Sequence, residues 1–285
     1  MSKVYIRNLG GEAKLIATGL PFPSVYLDYD LLKTLAGTPA GKAIRKMIWL
    51  DKGPLCLTWF QLARIFALDG SEFERVVNYL ETFRDRIAIL ESHSKEVIER
   101  EDRCREISEL PLLSLDRTAP KLVEKYCSDE TEISIRLLLK AIGRERGLFA
   151  ALERRFEESE RLCHAFFREE RKTYRSDPAA RKKIDGLHEE AERVFKHNPA
   201  LPAYYVQRKL TQASIQARER FERSDTYKYE SAIVSLSYCR FVVLSDKWAA
   251  RVKRLRLPQP CAEVFNSQEI SSFINHLKSA CRWGA

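Results

Sequence analysis

The sequence predicts a mainly α protein, with small β elements near the N-terminus followed by a helical bundle. Three observations lead there. Two helix-start signals lie thirteen residues apart, at Thr58/Gln61 and Ser71/Glu74, and each can satisfy orphan N–H groups as a capping box. From residue 128 onward, apolar residues recur at the three-and-four spacing of amphipathic helices. Beyond about residue 105 every segment reads as helix.

Val4-Tyr5-Ile6 and Leu15-Ile16-Ala17 flank Gly10-Gly11 as a hairpin would. Pro21 and Pro23 then interrupt the chain before Val25-Tyr26-Leu27 and a short helix near Leu31 to Leu35. Thr38-Pro39 opens the next helix, with proline where its missing N–H costs nothing. Ala40, Ile44, Met47 and Ile48 give that helix an apolar face, and Asp51-Lys52-Gly53-Pro54 ends it. Leu55-Cys56-Leu57 follows as a short strand. The stretch from Leu57 to Glu81 reads as helix, turn, helix, with Leu62, Phe66, Leu68, Phe73, Val76, Val77 and Leu80 available to bury one helix against the other.

These residues resemble the helix-turn-helix of winged-helix DNA-binding proteins. Ala63 stands where the motif wants a small residue facing the partner helix, Ala67 and Leu68 fill the turn, and Phe73 and Val76 are the apolar positions of the second helix. In this likeness, covering about residues 38–100, Arg86 to Glu91 and Val97 to Glu99 pair across Ser92 to Lys95 as the wing. The resemblance implies that Arg75 and Asn78 reach base edges, since Arg can contact guanine bidentately and Asn adenine. It places Arg64 and Ser71 at phosphates, and Arg86 and Lys95 at phosphate or minor groove. Glu72 and Glu74 run against it, because carboxylates are repelled by a phosphate-rich groove.

The expected domains are residues 1–105, winged-helix-like with an N-terminal hairpin, a linker at 106–127, and a helical bundle at 128–285. In the bundle, Leu138, Ile142, Phe149, Leu152, Phe156, Cys163 and Phe166 mark one long helix. Ser176-Asp177-Pro178 closes it, Asn198-Pro199 closes the next, and Glu230 to Leu257 reads as the most buried helix. Asn266/Glu269 caps the last one. About five helices with short connections favour antiparallel neighbours.

The 285 residues carry 49 basic and 40 acidic side chains, a net charge of +9. That excess suits an anionic partner. A basic stripe of Lys247, Arg251 and Arg254, at i, i+4 and i+7 near Trp248, has the spacing to track phosphates. Its alternative is long basic stems covering apolar surface. The seven cysteines form no CxxC pair and read as free thiols of a reducing compartment. No signal-type leader opens the chain, and the apolar run Ala232 to Leu244 is too short for a bilayer. The expected location is therefore cytoplasmic or nucleoid-associated, with no membrane partner.

No phosphate loop, GxSxG elbow or HExxH motif occurs. Asp185 and His188 share a helix face, but a second such pair, needed for a di-metal centre, is missing. No catalytic residue, metal or cofactor is therefore expected. The sequence favours a protein that binds duplex DNA, and the winged-helix resemblance implies a regulator or a replication or partition factor of a mobile element. Its helical domain would serve self-association or partner docking. The alternative is a helical adaptor whose winged-helix-like domain binds protein.

Overall fold

The computed structural model describes residues 4–9, 12–17, 23–51, 53–104, 115–116, 118–126, 134–258 and 261–283. The protein is mainly α, and its helices surround a small parallel sheet. Strands β1 (Val4–Leu9) and β2 (Glu12–Ala17) form the antiparallel hairpin, with Val4 opposite Ala17. Then come β3 (Val25–Leu27), α1 (Tyr29–Leu35), α2 (Pro39–Asp51), β4 (Leu55–Thr58), α3 (Trp59–Phe66), α4 (Gly70–Glu81) and β5 (Ile87–Leu90). A long helical insertion follows. It comprises α5 (Ser94–Arg103), α6 (Thr118–Tyr126), α7 (Ile135–Arg144), α8 (Arg146–Ser176), α9 (Pro178–Asp185), α10 (Leu187–His197), α11 (Pro202–Gln216) and α12 (Asp225–Tyr238). The chain ends with β6 (Phe241–Val243), α13 (Asp246–Lys253), β7 (Glu263–Phe265) and α14 (Ile270–Trp283).

The five-stranded sheet runs in the order β5-β4-β3-β6-β7, every pair parallel. Alternate strand residues feed two cores. Val25, Leu27, Leu55, Leu57, Phe241 and Val243 face one packed by α1 to α4, α7 and α14. Tyr26, Cys56, Ala88, Leu90, Val242 and Leu244 face the other, packed by α5 and α11 to α13. A sheet covered on both faces needs apolar residues at successive positions, and the strands have them.

Several helix starts follow the sequence. Thr58 and Gln61 form their capping box, and Asn266 and Glu269 form theirs. Thr38 Oγ1 accepts from Gly41 N at 3.1 Å at the start of α2. Asp177 caps α9 ahead of Pro178. A Cβ at Gly41 would lie 2.2 Å from the Leu35 carbonyl oxygen, so only glycine lets α2 approach the end of α1 so closely.

Other expectations are corrected. The wing does not form: β5 pairs in parallel with β4, Ile87 opposite Leu55, and Val97 to Glu99 lie inside α5. Ala88 and Leu90 are buried on one face of β5 while Ile87 and Ile89 pack half-buried on the other, a two-sided cover that an exposed two-stranded wing cannot offer. Thus α3 and α4 are a crossover between parallel strands. The boundary at 106–127 separates no two units, because β3 pairs directly with β6. Within it, Thr118–Tyr126 is helical and Leu115 bridges Leu90, while 105–114 lies outside the described residues. The segment Glu230 to Leu257 is helix, strand and helix, broken after Tyr238. The long helix pattern from 128 breaks at Glu145 (φ −92°, ψ 64°), giving α7 and α8. Among the described residues no helix is long and apolar enough to cross a membrane.

Candidate nucleic-acid interface

In open parallel sheets, ligands favour the crevice at the carboxyl ends of the strands where the order reverses. Here that place lies between β3 and β6. Asp28, directly after β3, accepts from Tyr29 N at 2.8 Å and from Ser245 N at 3.3 Å. Burial pushes its carboxyl above the usual range, against the opposing pull of Lys228. The Lys228 ammonium sits 3.1 Å from Asp30 and 3.9 Å from Asp28. Arg64 crosses the same region, donating to the Tyr227 hydroxyl at 3.0 Å, with its guanidinium 4.6 Å from the Tyr29 ring centroid. Asp225 is held by Lys247 at 2.8 Å and by the Trp248 indole at 3.1 Å. Burial alone would raise the Asp225 carboxyl, but these hydrogen bonds outweigh it and leave it below its ordinary value.

The crevice therefore supplies its own counter-ions from Lys228 and Lys247. Among the described residues, no three His, Cys, Asp or Glu side chains gather where a metal ion could be held. A void beside it, lined by Phe60, His93, Phe156 and Tyr227, measures about 10 Å³. That is about the room of a single water.

A different surface is open. A groove of about 800 Å³ runs between α2 and α4. Lys42, Arg45, Lys46 and Arg75 line it around Trp49, and no described acidic residue does. Its walls are tied together by specific hydrogen bonds. The Tyr79 hydroxyl donates to Gly41 O at 3.1 Å, and the Trp49 indole N–H donates to Thr82 O at 2.9 Å. Burial pushes the Tyr79 hydroxyl far above its ordinary range, so it stays a neutral donor. Arg84, in the left-handed region at φ 48°, and Arg86 hold guanidinium groups 6.0 and 5.9 Å from the Trp49 ring centroid.

The residues expected to bind DNA are distributed unevenly around this groove. Arg75 and Asn78 line it, and Arg86 flanks it. Arg75 also serves the fold, donating to the Lys33 and Ala36 carbonyls at the end of α1, at 2.9 and 3.1 Å. Asn78 Oδ1 accepts from Arg136 at 3.0 Å. Arg64 belongs to the crevice.

Ser71 is exposed in the first turn of α4 and caps nothing. The helix begins one residue earlier, at Gly70 (φ 49°), and Glu74 is taken by Arg136 at 2.9 Å. Lys95 is exposed on α5, 3.9 Å from Glu99. The stripe near Trp248 is not one surface, which corrects the expectation. Lys247 is paired with Asp225, and Arg251 is buried over the Trp248 ring at 4.7 Å, donating to Ser214. Arg254 and Lys247 are exposed, the Lys247 ammonium being engaged by Asp225.

Sequence reasoning missed Lys42, Arg45, Lys46 and Trp49. Their i, i+3, i+4, i+7 spacing, opposite the apolar Ile44, Met47 and Ile48, was the signal. No family model, curated protein or solved structure matches the chain. The chemistry of the groove has to be read from its own residues.

Proposed function

We propose that the protein binds nucleic acid through the groove between α2 and α4. The observation that carries this reading is the cluster of Lys42, Arg45 and Lys46 around Trp49, joined by Arg75 from the other wall; no described acidic residue lines the groove, and the one acid beside it, Glu72, stands 3.5 Å from Arg75. Cations so placed neutralise phosphates and release counter-ions, while an aromatic ring offers a surface for a base. The test is fluorescence anisotropy of labelled oligonucleotides over a salt series. Three to four phosphate contacts correspond to a log–log salt slope of about −2 to −4. Changing Lys42 and Lys46 together to Glu abolishes binding on this reading, while Arg254→Glu leaves it intact. Equal binding by both variants would remove the groove from consideration.

A second reading, protein docking, draws on α8. Leu162 and Phe166 lie one turn apart on that helix and are 53% and 46% exposed. Such a pair suits an adaptor or self-associating surface. Sedimentation of wild type against Leu162→Ser/Phe166→Ser tests self-association. On either reading the protein acts by binding.

A further inference from the structure

The nucleic-acid reading leaves open which form of the polymer the groove takes. We propose that it takes a single strand, with one base stacked on Trp49, and excludes duplex. This rests on the groove being a nucleic-acid site, and three features of the structure carry it.

First, α4 is not free to lie in a major groove. Arg136, at the start of α7, covers its outward face. The guanidinium donates to Glu74 at 3.2 and 2.9 Å and to Asn78 at 3.0 Å, and the Arg136 backbone N–H donates to Glu81 at 2.6 Å. The side chains that would read base edges are thus engaged within the protein.

Second, the cations line the walls of a concavity. Lys42, Arg45 and Lys46 occupy successive turns of one wall and Arg75 lies across from them. A duplex presents a convex, rigid cylinder that meets only the rim of such a groove. A single strand can follow its floor. A basic groove combined with an aromatic platform is the recurring design of sequence-tolerant single-strand binding.

Third, Trp49 is half-buried and its orientation is fixed. Its only hydrogen-bonding group is spent on Thr82 O, so the ring has a π-face to offer and no donor to read sequence with. Arg84 and Arg86 stand at the outer limit of a cation–π contact with it. An incoming base takes the place of these long contacts and brings its phosphates close to the Arg84 guanidinium.

The experiment uses the full chain and four labelled 12-mers of one mixed sequence: single-stranded DNA, single-stranded RNA, and the duplex of each. Wild type, Trp49→Ala, Trp49→Phe and Lys42→Glu/Lys46→Glu are compared by anisotropy, with circular dichroism confirming that each variant is folded. The expected result is at least tenfold tighter binding of single strands than of either duplex. Trp49→Ala weakens single-strand binding by about tenfold or more, Trp49→Phe retains most of it, and the double Glu variant loses it. Either sugar supports the proposal, the tighter arm naming the source. Duplex bound as well as single strand, with both lost in the double Glu variant, overturns the single-strand assignment and leaves the groove reading standing. Single-strand preference unchanged in folded Trp49→Ala overturns the stacking. No binding of any oligonucleotide by wild type at low salt overturns both readings together.

Discussion

The Trp49 indole donates to the carbonyl of Thr82 across 2.9 Å, joining the last turn of α2 to the residue that ends α4. This bond fixes the spacing of the two groove walls. It also makes Trp49 a structural residue as well as a surface one.

Trp49→Phe removes the hydrogen bond and keeps most of the packing, so the fold should lose about 1 kcal/mol. Trp49→Ala also removes the half-buried ring and should lose about 1–3 kcal/mol. Urea denaturation of both variants checks this, and equal midpoints for Phe and Ala would show that the ring contributes no packing.

Arg75 separates charge from geometry. Its Nη1 donates to two carbonyls at the end of α1 while its Nη2 stands 3.5 Å from Glu72, a division of donors that Lys cannot reproduce. Arg75→Lys should therefore lower stability by about 1 kcal/mol while keeping most oligonucleotide binding. Arg75→Ala should lower both. A Lys variant as weak in binding as the Ala variant would mean that the guanidinium itself touches the ligand.

The residues near Trp248 should behave as core. Arg251 is 8% exposed, and a carboxylate in its place would be buried without its former contacts. Arg251→Glu should cost about 3 kcal/mol or more. Arg254→Glu, on the exposed end of the same helix, should stay within about 0.5 kcal/mol of wild type. Thermal melts distinguish the two, and similar melting temperatures would contradict the burial of Arg251.

Glu101 should make stability depend on pH. Its carboxylate accepts from Ala203 N at 2.7 Å and Tyr204 N at 3.1 Å, and it also receives the Tyr238 hydroxyl. Burial outweighs these bonds and pushes the carboxyl up to about 7 from an ordinary value of 4.5. In the window between, the folded chain holds a proton that the unfolded chain has released. The contribution is thus fully present below about pH 4.5 and lost as pH rises to about 7. A displacement of that size corresponds to about 3 kcal/mol. Unfolding by urea at several pH values should show the slope in wild type and a flatter one in Glu101→Gln. The same slope in both would assign it to other groups.

How far these features could be read from the sequence depends on how local they are. The Thr58/Gln61 and Asn266/Glu269 boxes are local, and they form. The Ser71/Glu74 box has the same spelling and fails because Glu74 is captured by Arg136, which is remote in the chain. The mainly α class was legible from spacing, but β6 was not. Phe241-Val-Val-Leu244 is buried on both sheet faces and shows no alternation, so it merges with the apolar helix before it. The groove was half legible: α2 announces its basic stripe, while its pairing with α4 needed the fold.

The parallel pairing of Val25 with Phe241 has a consequence for biogenesis. The central strand waits for its second neighbour until some two hundred further residues have left the ribosome, about 10–40 s at ordinary synthesis rates. Through that interval β3 presents an open edge, with β4 and β5 already available on its other side. A nascent chain arrested before Phe241 would carry this edge permanently. Such an intermediate is exposed to strand-to-strand aggregation until the segment around Phe241 is made.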